Sequence, residues 1–228
     1  MPTRLGLLGG TFDPVHEGHV AAGRAARAAL ALDQVQLVPA HVPPHRAVGP
    51  RASTPHRFAM AAIAALEEPG WTVSDAEIGR DGPSFTYDTL RSVQAAGLAP
   101  SQIFFILGAD AFAEIATWSR YPAVLDQAHF VVVTRPGASL AGLADRFPDL
   151  AGRVRPASAL DSAPGTGIVL VEAATPPVSS TAIRGRAAQG YSLAGLVPPR
   201  VEQYIRRHGL YARTAAAGPG SSSDDLQR

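Results

Sequence analysis

Short apolar runs alternate with longer amphipathic stretches along the chain, and that alternation predicts most of its architecture. Leu5-Gly6-Leu7-Leu8, Val35-Gln36-Leu37-Val38, Ile103-Phe104-Phe105-Ile106-Leu107, Phe130-Val131-Val132-Val133 and Ile168-Val169-Leu170-Val171 read as buried strands, with Trp71 to Ile78 as a looser candidate. Near-continuous hydrophobic strands are those covered on both faces, the habit of parallel sheets. Helical patterning falls between them at Gly18 to Leu30, Pro55 to Leu66, Thr86 to Ala96, Leu140 to Phe147, Ser180 to Gln189 and Pro198 to Arg207. The predicted class is α/β: a doubly wound parallel sheet with helices on both faces and a small C-terminal helical portion. Residues 1–211 are expected to form one domain and residues 212–228, rich in Gly and Ser without apolar periodicity, a disordered tail. The Ala/Ser/Pro/Gly-rich segment Ala157 to Gly167 reads as a flexible loop.

Composition narrows the chemistry. All 20 basic residues of the 228 are arginines, and there is no lysine and no cysteine. A GC-biased genome produces the same replacement of lysine by arginine, but the chemical exclusion holds either way. Schiff-base lysines, adenylated-lysine intermediates, the P-loop lysine, thiol nucleophiles and thiolate metal sites are all absent. A net charge of +1 argues against a nucleic-acid binder. No apolar run approaches the ~18–20 residues of a membrane span. Met1-Pro2-Thr3-Arg4 shows no signal-peptide pattern, so a cytoplasmic location is expected.

The most informative stretch is Gly9-Gly10-Thr11-Phe12-Asp13-Pro14-Val15-His16-Glu17-Gly18-His19. It follows a buried strand and opens a helix, the place where open α/β sheets bind ligands. Two glycines permit close approach of a bulky anion. The spacing of His16 and His19 puts both rings on one face of the helix start, beside its free N–H groups. Donors converging in this way suit a phosphate chain. Taken alone, the histidines read equally as cap residues, or as a zinc pair in need of a third ligand.

This string resembles the H-x-G-H signature of the nucleotidyltransferase superfamily, and GGTFDPVHEGH is similar almost letter for letter to bacterial nicotinate-nucleotide adenylyltransferases. Further segments resemble that family in the same order. They are Val42-Pro43-Pro44-His45-Arg46 (with Arg46 where the family has lysine), Ser84-Phe85-Thr86-Tyr87-Asp88-Thr89-Leu90, Phe105 to Asp110, Thr117-Trp118, Thr134-Arg135-Pro136-Gly137, Val178 to Arg184, and the C-terminal Leu196-Val197-Pro198 to Gly209-Leu210-Tyr211. The resemblance covers about residues 4 to 211 and implies a Rossmann-like fold.

It further implies adenylyl transfer from ATP to nicotinate mononucleotide by direct displacement, in NAD biosynthesis. His16, His19 and Arg184 would be the catalytic residues. ATP would meet Gly9, Gly10, Thr11, Phe12, His16, His19, Gly108, Asp110, Ser180, Thr181 and Arg184. The mononucleotide would meet Asp13, His45, Arg46, Ser84, Thr86, Trp118, Ser119 and Arg135. Mg²⁺ would accompany ATP without dedicated protein ligands, Asp13 being a candidate water-mediated partner. The partners expected are these two nucleotides, with no nucleic acid and no membrane, and homo-oligomerisation is left open.

Each segment also has its own physical reading. Ser180-Thr181 followed by Arg184 reads as a helix N-cap with an arginine one turn in, an arrangement that suits an anion. Asp110 at a strand end suits ribose hydroxyls or a helix cap. Trp118 suits stacking on a flat ring or core packing. His41, His56, His129 and His208 have no such company and read as surface, helix-start or structural residues. Competing readings are transfer to another acceptor, a sensing module that keeps the site without turnover, and a nicotinamide-dependent dehydrogenase. The last is disfavoured by the missing G-x-G-x-x-G.

Overall fold

A computed structural model describes residues 4–44, 49–134, 142 and 145–212. Six parallel strands, β1 (Leu5–Gly10), β2 (Gln34–Pro39), β3 (Trp71–Val73), β4 (Ile103–Gly108), β5 (His129–Thr134) and β6 (Ile168–Glu172), form one sheet in the order β3-β2-β1-β4-β5-β6. This is the doubly wound Rossmann-like order, and its direction reverses between β1 and β4. The crevice beyond the carboxyl ends of those two strands is where such sheets bind ligands. Gly10 and Gly108 end the two strands there.

Strand side chains alternate faces, so each apolar run feeds two cores. Phe104, Ile106, Val131 and Val133 face one side, against α1 (Glu17–Leu30), α2 (Thr54–Leu66), α5 (Ser180–Ala188) and α6 (Pro199–Arg207). Ile103, Phe105, Leu107, Phe130 and Val132 face the other, against α3 (Thr86–Ala95), α4 (Ala109–Ala113) and the 3₁₀ segments that follow. The close approach of α1 to β3 depends on Gly23, where an added Cβ would stand 2.3 Å from the Trp71 ring.

Two expectations change. The third strand ends at Val73, and residues after Ser74 turn, with the Ile78 and Gly79 N–H groups donating to the Asp75 carbonyl. The segment from Ala157 to Gly167 is built rather than loose. Ala157–Ala159 is a 3₁₀ turn, Leu160 is buried, and the buried Thr166 hydroxyl donates to the Leu125 carbonyl at 2.6 Å. The helix expected over Leu140 to Phe147 lies largely outside the described residues, as do residues 213–228.

Candidate active site

The β1–α1 segment is shaped by its own residues. Phe12 adopts a positive φ of 50° and folds its buried ring back over Gly10, where an added Cβ would stand 2.9 Å from it. His16 is the extended N-cap of α1, and its backbone N–H donates to Nδ1 of His19 at 3.2 Å. The two rings stack with centroids 3.7 Å apart, and the Phe12 edge meets His19 at 5.0 Å. That one backbone bond fixes a tautomer. With Nδ1 of His19 accepting, its ring proton sits on Nε2, which is thereby a donor. Burial holds the His16 ring neutral, with its pKa lowered to about 4. Its Nδ1 is buried with no hydrogen-bond partner among the described residues, a polar atom that a ligand would satisfy.

Helix α5 closes on this segment from the far end of the chain. Its N-cap is Ser179, whose hydroxyl accepts from the Ala182 N–H at 3.2 Å, and not the Ser180-Thr181 pair that the sequence favours. Ser180 is thereby released to donate to the Pro14 carbonyl at 3.0 Å. Arg184 donates to the Asp13 carbonyl at 2.7 Å and to the Thr181 hydroxyl at 3.1 Å, with the Asp13 carboxylate 3.6 Å away. Thr181 and Arg184 line a polar cavity of about 590 Å³ together with Arg51 and Tyr211.

A second cavity, of about 250 Å³, lies on the other flank of the segment, against Gly9, Gly10 and Thr11. Its opposite wall is Ser84, Phe85 and Thr86 with Trp118 and Ser119. Trp118 stands edge-on to Phe105 with ring centroids 6.0 Å apart. Phe85 caps α3 without a side-chain hydrogen bond, so the first amides of that helix, Thr86 included, have no acceptor inside it. The Ser84 hydroxyl accepts from the His41 N–H at 2.8 Å, tying this wall to the loop that carries Pro43 and Pro44.

Glu77 also lines this cavity, and sequence reasoning missed it. Its buried carboxylate accepts from the Thr89 hydroxyl at 2.6 Å, and burial pushes its pKa up against hydrogen bonds from Thr89 and Ser84. A lone glutamate three residues before Arg80, in a stretch read as strand, carried too little signal to single it out.

Residues 7–186 match the cytidylyltransferase-like family. The chain is 41% identical to the probable nicotinate-nucleotide adenylyltransferase of Roseiflexus sp. (strain RS-1), over 91% of this chain and 97% of that one. It is 42% identical to the protein so named from Bordetella petrii, over 91% and 98%. The chain belongs to the nicotinate-nucleotide adenylyltransferase family. The fold agrees with that of the Plasmodium falciparum nicotinic acid mononucleotide adenylyltransferase complexed with NaAD, with a TM-score of 0.65 at 16% identity over 92% of this chain and 97% of that one.

Not every residue carried over from the adenylyltransferase pattern reaches a cavity. Asp13 is 1% exposed and turned inward, its carboxylate accepting from Arg51 N–H (2.8 Å), Ala52 N–H (3.0 Å) and the Tyr211 hydroxyl (2.9 Å). Gly108 and Asp110 are exposed at the end of β4 and line neither cavity. His16 and His19 line neither, and sit in the segment between them. His45, Arg46 and Arg135 lie outside the described residues. His129 is structural: it is buried, and its Nδ1 accepts from the Gly167 N–H at 3.0 Å. The buried Arg57 donates to the Thr11 and His41 carbonyls at 2.8 and 3.2 Å, bracing the ends of β1 and β2. No helix among the described residues is long and apolar enough to cross a membrane.

Proposed function

We propose that the chain transfers the adenylyl group of ATP to nicotinate mononucleotide, releasing pyrophosphate and forming nicotinate adenine dinucleotide. The observation that carries this reading is the stacked His16–His19 pair at the start of α1, with the His19 proton directed to Nε2 and Arg184 brought to the same loop. The chain's adenylyltransferase relatives support it. So does the fold shared with a nicotinic acid mononucleotide adenylyltransferase.

A mononucleotide phosphate oxygen attacks the α-phosphorus in line, that P–O bond forms, and the bond to the β-phosphate breaks. The attacking oxygen is already ionised near pH 7, so no general base and no covalent enzyme intermediate are needed. This suits a chain without lysine or cysteine. His16 and His19 donate to the α- and β-phosphates through ring N–H groups, and Ser180, Thr181 and Arg184 hold the β/γ end. Such fixed donors aim at charge that grows in the transition state. On the other flank, Trp118 stacks on the pyridine ring. Amides at Thr86 and Ser119 receive the carboxylate, and neutral N–H donors favour it over a carboxamide. Gly108 and Asp110 would meet the ATP ribose side.

Among the described residues no three His, Asp or Glu side chains converge as metal ligands, and the Asp13 carboxylate already accepts three hydrogen bonds. Mg²⁺ accompanying ATP would be held by the triphosphate oxygens and water, without a dedicated protein ligand. When bound there, the ion neutralises phosphate charge.

Pyrophosphate release with ATP plus nicotinate mononucleotide, set against ATP plus its amide, tests the reading. Strong preference for the acid is expected. Release with neither acceptor would overturn it.

A further inference from the structure

Tyr211 closes the stretch that resembles the family but has no role in the site read from sequence, and its hydroxyl reaches across 198 positions to donate to Oδ1 of Asp13 at 2.9 Å. Its backbone is held at φ 66°, a left-handed conformation that a non-glycine residue adopts only when its surroundings fix it. The preceding turn is pinned to α6 by the Leu210 N–H, which donates to the Ile205 carbonyl at 3.0 Å. Tyr211 also walls the polar cavity beside Thr181 and Arg184.

The geometry around Asp13 gives this contact a consequence. Oδ2 accepts from the Arg51 N–H and Oδ1 from the Ala52 N–H, and the Tyr211 hydroxyl takes a further lone pair of Oδ1. Arg184 stands 3.6 Å from Oδ2 while its Nη1 donates to the Asp13 carbonyl instead. A carboxylate with every other acceptor position filled holds Arg184 nearby without closing the two-bond fork that arginine and carboxylate otherwise form. The guanidinium is then left to line the cavity. Removing the phenol hydroxyl frees a lone pair on a buried carboxylate, and Arg184, 3.6 Å from that carboxylate, is a cation able to take it. Burial and the neighbouring Asp13 charge both push the Tyr211 pKa up, so the phenol keeps its proton and donates across the working pH range.

We propose that Tyr211 is a positioning residue for the triphosphate, acting through Asp13 to keep the Arg184 guanidinium directed at the polar cavity. The proposal rests on the ATP half of the function given above. It does not depend on the identity of the acceptor.

The test is binding of a non-hydrolysable ATP analogue, measured by calorimetry on the full chain without acceptor, for wild type, Tyr211→Phe, Asp13→Asn and the double variant. Thermal unfolding of each is recorded, and binding is measured well below every transition. Tyr211→Phe is expected to weaken binding about tenfold, the scale of one charge-assisted hydrogen bond. The double variant should bind no more weakly than Asp13→Asn alone, because the tyrosine acts only through that carboxylate. In turnover, KM for ATP should rise while KM for the mononucleotide stays within about twofold of wild type, a split that general loosening of the fold would not produce. Unchanged analogue affinity in Tyr211→Phe, with or without a lower unfolding temperature, makes the contact a structural clasp and overturns the proposal. Additive losses in the double variant overturn the route through Asp13. A wild-type chain that binds no analogue overturns the ATP reading itself, and the proposal with it.

Discussion

The two cavities beside the β1–α1 segment differ in how they recognise a ligand. The one at Trp118 is small and mostly apolar, and it offers an aromatic ring, backbone amides and hydroxyls. The one at α5 is larger and more polar, with Arg51 and Arg184 in its lining. Under the proposed function the first would discriminate by shape and by neutral donors, and the second would hold charge with charge. A single loop serves both, with Gly9, Gly10 and Thr11 facing the first and Asp13 engaging the residues of the second. Joining two anionic nucleotides calls for such a division, because a strongly cationic pocket at both sites would bind ground states without selecting between them.

The largest effect is expected where the two halves meet. His19→Ala should cost about 2–4 kcal/mol in kcat/KM, the scale of a lost oxyanion donor, with the fold intact by circular dichroism. Wild-type turnover would remove His19 from the mechanism. Next, Trp118→Ala should raise KM for nicotinate mononucleotide about tenfold or more and leave ATP binding unchanged, as expected for lost stacking on one substrate only. Equal losses for both substrates would erase the distinction between the cavities.

A smaller effect, about three- to tenfold in KM for the mononucleotide, is expected for Glu77→Ala, because Glu77 anchors Thr89 and Ser84 on either side of the α3 start. Glu77→Gln can accept the Thr89 hydroxyl and should recover most of the loss. If it fails to do so, the carboxyl's charge matters rather than its hydrogen bonds.

The smallest effect concerns stability. Burial holds both His16 and His129 near pKa 4, below the ordinary 6.5, with the Arg155 charge adding to the shift at His129. The unfolded chain therefore binds protons that the folded chain refuses. The stabilisation is fully present above about pH 6.5 and is lost progressively as pH falls towards about 4. Lowering the pH from 7 to 6 should cost about 1 kcal/mol for the two rings together, read from denaturant midpoints. A flat profile over that step would mean that the rings are not held neutral.

Much of this was legible in the chain. Five strands announced themselves because buried parallel strands are continuous apolar runs, as Ile103 to Leu107 shows. The pairing of His16 with His19 followed from helical spacing alone. Other features escaped for physical reasons. Ser179, Ser180 and Thr181 are three consecutive residues that can cap a helix, and only backbone dihedrals separate them. Trp71 and Ile78 looked like the ends of one strand, although the polar residues between them turn the chain. Asp13 read as a ligand to substrate or metal because its partners at Arg51, Ala52 and Tyr211 come from 38, 39 and 198 positions away. Local patterning cannot report a contact that the fold alone creates.

The span between Asp13 and Tyr211 also orders events in time. During synthesis the N-terminal strand and the histidine pair emerge first. The strand that flanks β1 on its other side, β4, arrives only with residues 103–108. The clasp on Asp13 needs a residue 198 positions further on, so it closes only after all six strands have been made. Until then the nascent chain carries its signature histidines beside an incompletely bonded carboxylate. A turn made late in synthesis finishes what an early loop began.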